Sequence, residues 1–279
     1  MSELDVERVQ KSCQKRGLSN ASNNLVRTIL NGAMKKARQY RLIRENVVAN
    51  VSPKREEKPK DNWWSPIQVQ RFLEIADSDE LAPLWRVGVL TGIRRGELLA
   101  LTWDDVDLID GVLTINKSYS RQENGFAVGP TKSDSSGRLI RLSSSVVESL
   151  ISHKARQLEA RAQVGEDYQD KGLVFANALG GYISPSTLLY RYKKLIGRAG
   201  LPHVRFHDLR HSNGSMMVAA KTHPKLIQSR LGHKSLRTTE RYMHSDINMQ
   251  NEVAVDLDRV AGQATPLSRT KRVKRRRIL

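Results

Sequence analysis

The sequence predicts a mainly α-helical fold with a small antiparallel β-sheet, which is an α+β class. Apolar residues recur at helical spacing over most of the chain. Strand-like segments occur only between residues 112 and 142, where turn residues separate them. No internal repeat with a period of roughly 20–50 residues is visible. We therefore expect helices to provide most of the fold.

Residues 1–51 are predicted to form helices. Apolar residues recur at helical spacing and then close the segment: Leu25, Ile29, Leu30, Ala33, Met34, Leu42, Ile43 and Val47. The same stretch carries a basic face made of Arg27, Lys35, Lys36, Arg38, Arg41 and Arg44. A solvated helix surface and a phosphate-binding face would both produce this pattern, and charge alone does not separate them.

Residues 52–64 are predicted to form a linker, because charge and proline replace apolar residues there. Helical structure resumes at Ser65, which is followed by Pro66 at the first helical position and by Gln68 as a capping-box residue. We therefore expect a helical domain over residues 1–51 and a second domain over residues 65–260.

The second domain is predicted to be mixed but mainly helical. Helices are expected near residues 66–77, 80–90, 95–101, 144–162, 185–198, 207–219, 224–231 and 238–244. Strands are expected over 112–115, 126–132 and 138–142, and residues 134–137 supply turn chemistry between the last two.

Residues 261–279 form a basic end of the chain. Their cations are Arg269, Lys271, Arg272, Lys274, Arg275, Arg276 and Arg277. Because no acidic residue follows Thr265, we expect this tail to be disordered until it meets an anion.

Overall composition limits the classes of function. The formal net charge is +18 over 279 residues, which favours a polyanionic partner because such an excess otherwise adds only self-repulsion. No segment approaches the ~20 apolar residues that cross a bilayer, so no membrane partner is expected. Cys13 is the single cysteine, which excludes intrachain disulfides and cysteine-based zinc sites. We expect a cytoplasmic protein that binds nucleic acid.

Nucleotide and metal sites lack support in the sequence. There is no Gly-x-x-x-x-Gly-Lys-Ser/Thr phosphate loop and no acidic cluster of the two-metal nuclease type. His203, His207 and His211 are spaced four apart, as one helix would present metal ligands. However, Pro202 indicates that the helix begins only near His207, which leaves this set without a third ligand. We expect no cofactor and no metal.

Four short motifs contain the remaining candidate residues. They are Thr91-Gly92-Ile93-Arg94-Arg95-Gly96-Glu97, His207-Asp208-Leu209-Arg210-His211, Leu231-Gly232-His233 and the segment 238–244 around Tyr242. Gly92 is predicted to end a helix, so Arg94 lies at a junction of rigid elements, and Gly232 is predicted to end another and turn His233 outward. Each motif alone also has an ordinary structural explanation, such as a helix break, a C-cap or a packed tyrosine.

In their order and spacing these motifs resemble the tyrosine recombinases, the phage-integrase type of site-specific recombinase. The resemblance covers roughly residues 65–245. It implies a catalytic domain preceded by a helical DNA clamp, and the catalytic set Arg94, Lys132, His207, Arg210, His233 and the nucleophile Tyr242. Lys132 corresponds to the family's β-hairpin lysine. Glu97, one turn after Arg94, and His211 are interpreted as supporting residues.

The resemblance also implies partners and a setting. The substrate would be double-stranded DNA recombination sites, bound by a homotetramer on two duplexes. Accessory directionality or DNA-bending proteins would assist the reaction. The setting would be the nucleoid of a bacterial or phage-infected cell. The reaction would integrate or excise a mobile element or viral genome, resolve a DNA dimer or invert a DNA segment, and the sequence does not separate these outcomes.

The residue types themselves suit transfer of a phosphodiester. Two guanidiniums can clamp phosphate oxygens, and His233 can donate a further hydrogen bond. A tyrosine with an ordinary pKa of about 10 needs a cationic surrounding or a base, for which His207 is suited. Lys132 can protonate the departing 5′ oxygen. A 3′-phosphotyrosyl product conserves the bond energy, so rejoining would need neither ATP nor metal.

Two other functions remain alternatives. A type IB topoisomerase uses similar residues to relax supercoils, and a DNA-binding protein of this fold could lack catalysis. One departure from the family pattern lies after His211, where Ser212, Asn213 and Gly214 occur. These residues are expected to loosen their helix.

Overall fold

The structure, a computed structural model, describes residues 1–55, 62–123, 125–131, 137–232 and 238. The chain divides into two compact units, residues 1–62 and residues 63–279. None of the described helices combines the length and the apolar character that a membrane crossing needs. The mainly helical class with a small antiparallel sheet is confirmed.

The first unit contains helices α1 (Glu3–Lys15) and α2 (Asn20–Gln39), followed by a single 3-10 turn (Val47–Ala49). Ser2 caps α1 in a capping box with Asp5, and Ser19 caps α2. A small core of Val6, Val48 and Val51 packs against Leu30, Met34 and Val47. Cys13 is buried in α1.

The apolar face predicted for α2 divides into two stripes. Leu30 and Met34 contact the small core, whereas Leu25 and Ile29 are 61% and 66% exposed. The two stripes are five residues apart, which is about 140° around a helix, so α1 and the 3-10 turn cover only one of them. The rest of the first unit therefore covers the apolar residues of α2 only in part.

The helices of the second unit match seven of the eight predicted ones. They are α3 (Pro66–Ala76), α4 (Ala82–Thr91), α5 (Arg95–Ala100), α6 (Ser144–Val164), α7 (Pro185–Ala199), α8 (Leu209–Ala219) and α9 (Pro224–Leu231). Two helices begin two residues later than predicted: α4 begins at Ala82, and α8 begins at Leu209 because residues Phe206–Asp208 form a 3-10 turn. Except for Thr238, the helix predicted near 238–244 lies outside the described residues.

Among the described residues between α5 and α6, the strands form two small antiparallel sheets. The first has the order β1 (Val106–Asp107), β2 (Val112–Ile115) and β5 (Arg138–Arg141), and the second is a hairpin of β3 (Lys117–Gln122) and β4 (Gly125–Pro130). The predicted second and third strands therefore do not pair with each other. Each pairs instead with an earlier strand, and β3 was missed because its polar residues show no alternation.

The core of the second unit contains an aromatic cluster. Trp64, Phe72, Trp85 and Tyr192 have ring centroids 4.8–6.4 Å apart and are almost completely buried. Trp64 also donates from its indole to the carbonyl of Pro202 at 3.1 Å. This cluster holds α3, α4 and α7 together.

Candidate active site

Arg94 lies at the junction that the motif predicted. Helix α4 ends at Gly92, whose φ of +65° is left-handed, and Arg94 is the N-cap of α5. A Cβ at Gly92 would come within 2.8 Å of Leu231 and 2.9 Å of Asn213, so a glycine is required there for space as well as for conformation. The Arg94 side chain is 37% exposed and therefore accessible to a ligand.

Glu97 orients Arg94 directly. One carboxylate oxygen accepts the backbone N–H of Arg94 at 2.9 Å, and the other accepts its guanidinium at 2.7 Å. The Glu97 side chain is only 2% exposed. Because a buried carboxylate binds both the backbone and the side chain of Arg94, that guanidinium has a fixed position.

Arg138 at the start of β5 binds the same carboxylate. Its two terminal nitrogens donate to the two oxygens of Glu97 at 3.2 and 2.8 Å, a bidentate pair. Burial alone would raise the pKa of Glu97, but the hydrogen bonds and charge of Arg138, together with the hydrogen bonds from Arg94, outweigh burial and lower it. Glu97 is therefore ionised at neutral pH.

Arg210 is almost completely buried, with an exposed fraction of 4%. Its guanidinium donates to the carbonyl of Gly92 at 2.9 Å and to the carbonyl of Leu231. Arg94 reaches the next carbonyl, that of Gly232, at 3.4 Å. The two arginines thus meet at the C-terminal end of α9, where helix carbonyls lack intrahelical partners.

His207 lies beside these two arginines in the 3-10 turn before α8. Its side chain is exposed on one side, but desolvation by the surrounding protein lowers its pKa, and the charge of Arg210 adds to this effect. Asp208 opposes that shift, while its own carboxylate accepts two hydrogen bonds from Arg205 at 2.8 Å each. His207 is therefore neutral at neutral pH and able to accept a proton.

The residues after Arg210 tie α8 to its neighbours rather than loosening it, so that prediction was wrong. Ser212 accepts the backbone N–H of Trp64 at 3.0 Å, and Asn213 donates to the carbonyl of Val89 at 3.0 Å. Helix α8 continues without interruption to Ala219. His211 packs between His207 and Trp63, with ring centroids 6.1 Å from each.

A groove of about 810 Å³ opens beside Arg94 and His207. Its wall contains the hairpin β3–β4 and the segment before α8, and its basic lining residues are Arg94, Arg95, Arg121, Lys193 and Arg205. An open groove with this lining suits a polyanion better than a small apolar ligand.

Three members of the predicted catalytic set are thus brought together, namely Arg94, His207 and Arg210. The other three, Lys132, His233 and Tyr242, lie outside the described residues, as do the basic residues 269–277. Within the described ranges, no group of three or more His, Cys, Asp or Glu residues could hold a metal ion.

The basic residues of the first unit differ in their surroundings. Arg27 donates to the carbonyls of Val51 and Val48 at 2.7 and 3.1 Å, which ties the 3-10 turn to α2. Five others are exposed: Lys35, Lys36, Arg38, Arg41 and Arg44. Arg27 therefore stabilises the fold of the first unit, whereas the five exposed residues are accessible to a ligand.

Sequence reasoning did not single out Arg138, although a signal was available. Side chains alternate along a strand, and Arg138 shares its face with Ile140, which is 1% exposed. A cation at a core-facing strand position predicts a buried anionic partner. Only the identity of that partner, Glu97, required the tertiary structure.

The sequence matches one family of known proteins consistently. A model of the phage integrase family matches residues 63–249. A tyrosine recombinase XerC-like protein of Caldanaerobacter subterraneus subsp. tengcongensis is 27% identical, covering 91% of this chain and 69% of that protein. The ICEBs1 integrase of Bacillus subtilis is 28% identical, covering 89% of this chain and 68% of that integrase.

Solved structures share the fold. The Tn1549 transposon integrase in complex with transposon right end DNA has a TM-score of 0.78 at 19% identity, covering 94% of this chain and 86% of that one. The XerH site-specific recombinase bound to its difH substrate has a TM-score of 0.64 at 24% identity, covering 91% of this chain and 70% of that one.

Proposed function

The chain belongs to the phage integrase family and is a site-specific tyrosine recombinase, and we propose that it cuts and rejoins DNA through a 3′-phosphotyrosyl intermediate on Tyr242. The observation that carries the proposal is the meeting of Arg94 and Arg210 at the end of α9, directly before His233 in the chain. A neutral His207 beside them supports the same chemistry.

The two guanidiniums would neutralise the non-bridging oxygens of the scissile phosphate. A guanidinium carries five N–H donors, so bonds to the carbonyls of Gly92, Leu231 and Gly232 are compatible with phosphate binding. Their positions are fixed by Glu97 and by the helix end before a substrate arrives. Such preorganised donors stabilise the charge that develops in the transition state.

Cleavage is then a transfer of the phosphoryl group from the 5′ oxygen to the Tyr242 oxygen. The Tyr242 oxygen forms a bond to phosphorus, its proton passes to His207, and the bond from phosphorus to the 5′ oxygen breaks. Lys132 gives its proton to that 5′ oxygen, and His233 donates a hydrogen bond to the phosphate. Rejoining reverses these steps with another 5′ hydroxyl. No nucleotide or metal enters this balance, so we propose a reaction without cofactors.

The DNA would be held by charge along both units. In this proposal residues 1–51 clamp the duplex, residues 65–260 perform the chemistry and residues 261–279 add sequence-independent attraction. The exposed cations of α2 and the basic groove beside Arg94 support this assignment. Both solved structures named above contain DNA. We further propose that a homotetramer acts on two duplexes, with accessory DNA-bending or directionality proteins.

The test is a suicide substrate that contains the attachment sequence next to the gene, read as a covalent adduct on a denaturing gel. Tyr242→Phe should abolish the adduct and leave DNA affinity nearly unchanged, because only the nucleophilic oxygen is lost. Tyr190→Phe is the matched control, since Tyr190 is 66% exposed on α7. An adduct with Tyr242→Phe would assign the nucleophile elsewhere, and plasmid relaxation without recombinant product would favour a topoisomerase.

A further inference from the structure

Arg138 connects two parts of the site that are distant in the sequence. Its side chain is 5% exposed, and its terminal nitrogens hold both oxygens of Glu97. Its remaining nitrogen, Nε, donates to the carbonyl of Arg230 at 2.9 Å, in the last turn of α9. One guanidinium therefore links the carboxylate that orients Arg94 with the helix that leads to His233.

A second arginine strengthens the same link between β5 and α9. Arg230 donates from its own guanidinium to the carbonyl of Arg141 at 2.9 Å and to that of Leu90 at 3.3 Å. Strand β5 and helix α9 are thus joined in both directions, because an arginine of each donates to a backbone carbonyl of the other. In addition, a Cβ at Gly232 would come within 3.2 Å of Arg138 Cδ, so the Arg138 stem packs directly against the turn that ends α9.

The positive charge of Arg138 beside Glu97 affects how Arg94 can bind a phosphate. Glu97 is buried, and a buried carboxylate that loses one of its two cations keeps its desolvation cost with less compensation. Without Arg138, Arg94 would have to neutralise Glu97 by itself. The Arg94 guanidinium would then be drawn toward the carboxylate and would bind a phosphate less well.

We propose that Arg138 is a positioning residue for strand cleavage, which fixes Arg94 through Glu97 and at the same time anchors the end of α9. The inference rests on the proposed function for its effect on cleavage. The anchoring of α9 is independent of that function. In this proposal Arg138 acts on the reaction through Glu97 and through α9.

Arg138→Met tests the role, because methionine keeps most of the volume and removes the charge. Single-turnover adduct formation should fall about 100-fold, while the Kd for the same DNA changes less than about threefold. Arg141→Met is the matched control. Arg141 lies on the same strand, its side chain is exposed, and only its backbone carbonyl serves α9, so its variant should stay within about twofold of the parent protein.

Suppression separates positioning from simple packing. Adding Glu97→Gln to Arg138→Met removes the negative charge that draws Arg94 away from phosphate, so the double variant should cleave at least about tenfold faster than Arg138→Met alone. A cleavage rate for Arg138→Met equal to that of the parent would overturn the proposal, and so would the absence of any recovery in the double variant.

Two further measurements test the proposal if Arg138→Met does not fold or if the proposed function is wrong. If Arg138→Met does not fold, Arg138→Lys keeps the charge but has a single nitrogen, which cannot reach Glu97 and the Arg230 carbonyl as the three guanidinium nitrogens do. It should cleave about tenfold slower, and a parental rate would refute the role. If even the parent protein forms no adduct, the proposed function is wrong. Hydrogen exchange of residues 226–232 then decides the anchoring, which predicts faster exchange in Arg138→Met than in Arg141→Met; equal exchange would overturn it.

Discussion

Gly96 lies so close to Tyr119 that a Cβ on it would come within 2.7 Å of the Tyr119 carbonyl oxygen, and within 2.4 Å of Ser118 Oγ. Helix α5 therefore packs against strand β3 through a position where no side chain fits. Gly96 follows Arg94 and Arg95 by one turn or less. This contact therefore fixes the distance of both arginines from strand β3, which forms part of the groove wall.

Gly96→Ala should consequently move α5 away from β3. A backbone carbonyl cannot turn aside as a flexible side chain can, so the strain should cost about 1–3 kcal/mol of stability. We expect a lower Tm and slower adduct formation. Gly197→Ala is the control, because Gly197 lies within α7 with open space around its Cβ position and alanine favours a helix. An unchanged Tm for Gly96→Ala would refute the steric argument.

Arg94→Ala and Arg210→Ala should both slow cleavage by about 10²–10³ or more, because each removes a donor to the transition state. Their stabilities should differ. Arg94→Ala leaves Glu97 paired with Arg138, whereas Arg210→Ala removes the donor to the carbonyls of Gly92 and Leu231 and should cost about 1–3 kcal/mol. Thermal unfolding beside single-turnover kinetics checks this, and equal Tm values would contradict it.

The pH dependence of cleavage should reflect the lowered pKa of His207. A base must be neutral, and a pKa below the ordinary 6.5 leaves more than half of His207 neutral at pH 6.5. We expect a cleavage rate that rises with pH in acidic solution and passes half of its plateau value below pH 6.5. DNA affinity measured over the same range is the control for binding. A half-maximal cleavage rate above pH 6.5 would show that a His207 with a lowered pKa is not the base.

Arg27 and Lys35 should separate structure from DNA binding within the first unit. Arg27→Ala removes two bonds to backbone carbonyls, so amides of residues 47–51 should exchange faster in the full-length chain. Lys35→Ala should leave exchange unchanged. It should instead reduce the slope of log K against log salt by about 0.9, the value for one phosphate contact. A salt slope unchanged by Lys35→Ala would remove this residue from the proposed clamp.

Much of the fold was predictable because its signals are local. Helical periodicity, the Ser65-Pro66 start and the glycines that end α4 and α9 depend only on residues within a few positions of one another. The exposed Leu25 and Ile29 show the limit of this reasoning. Periodicity reports that a residue is apolar, and only the packing partner decides whether it is buried.

By itself, the sequence determined the helical class and the family, since helical periodicity and the order of the motifs depend only on positions along the chain. The tertiary structure alone decided which strands pair and what holds Arg94. Strand β5 pairs with β2 rather than with β4, and Arg138 reaches Glu97 across 41 residues of sequence. Such contacts arise when distant segments bury charge and backbone together, and no local pattern specifies which distant residue will supply the partner.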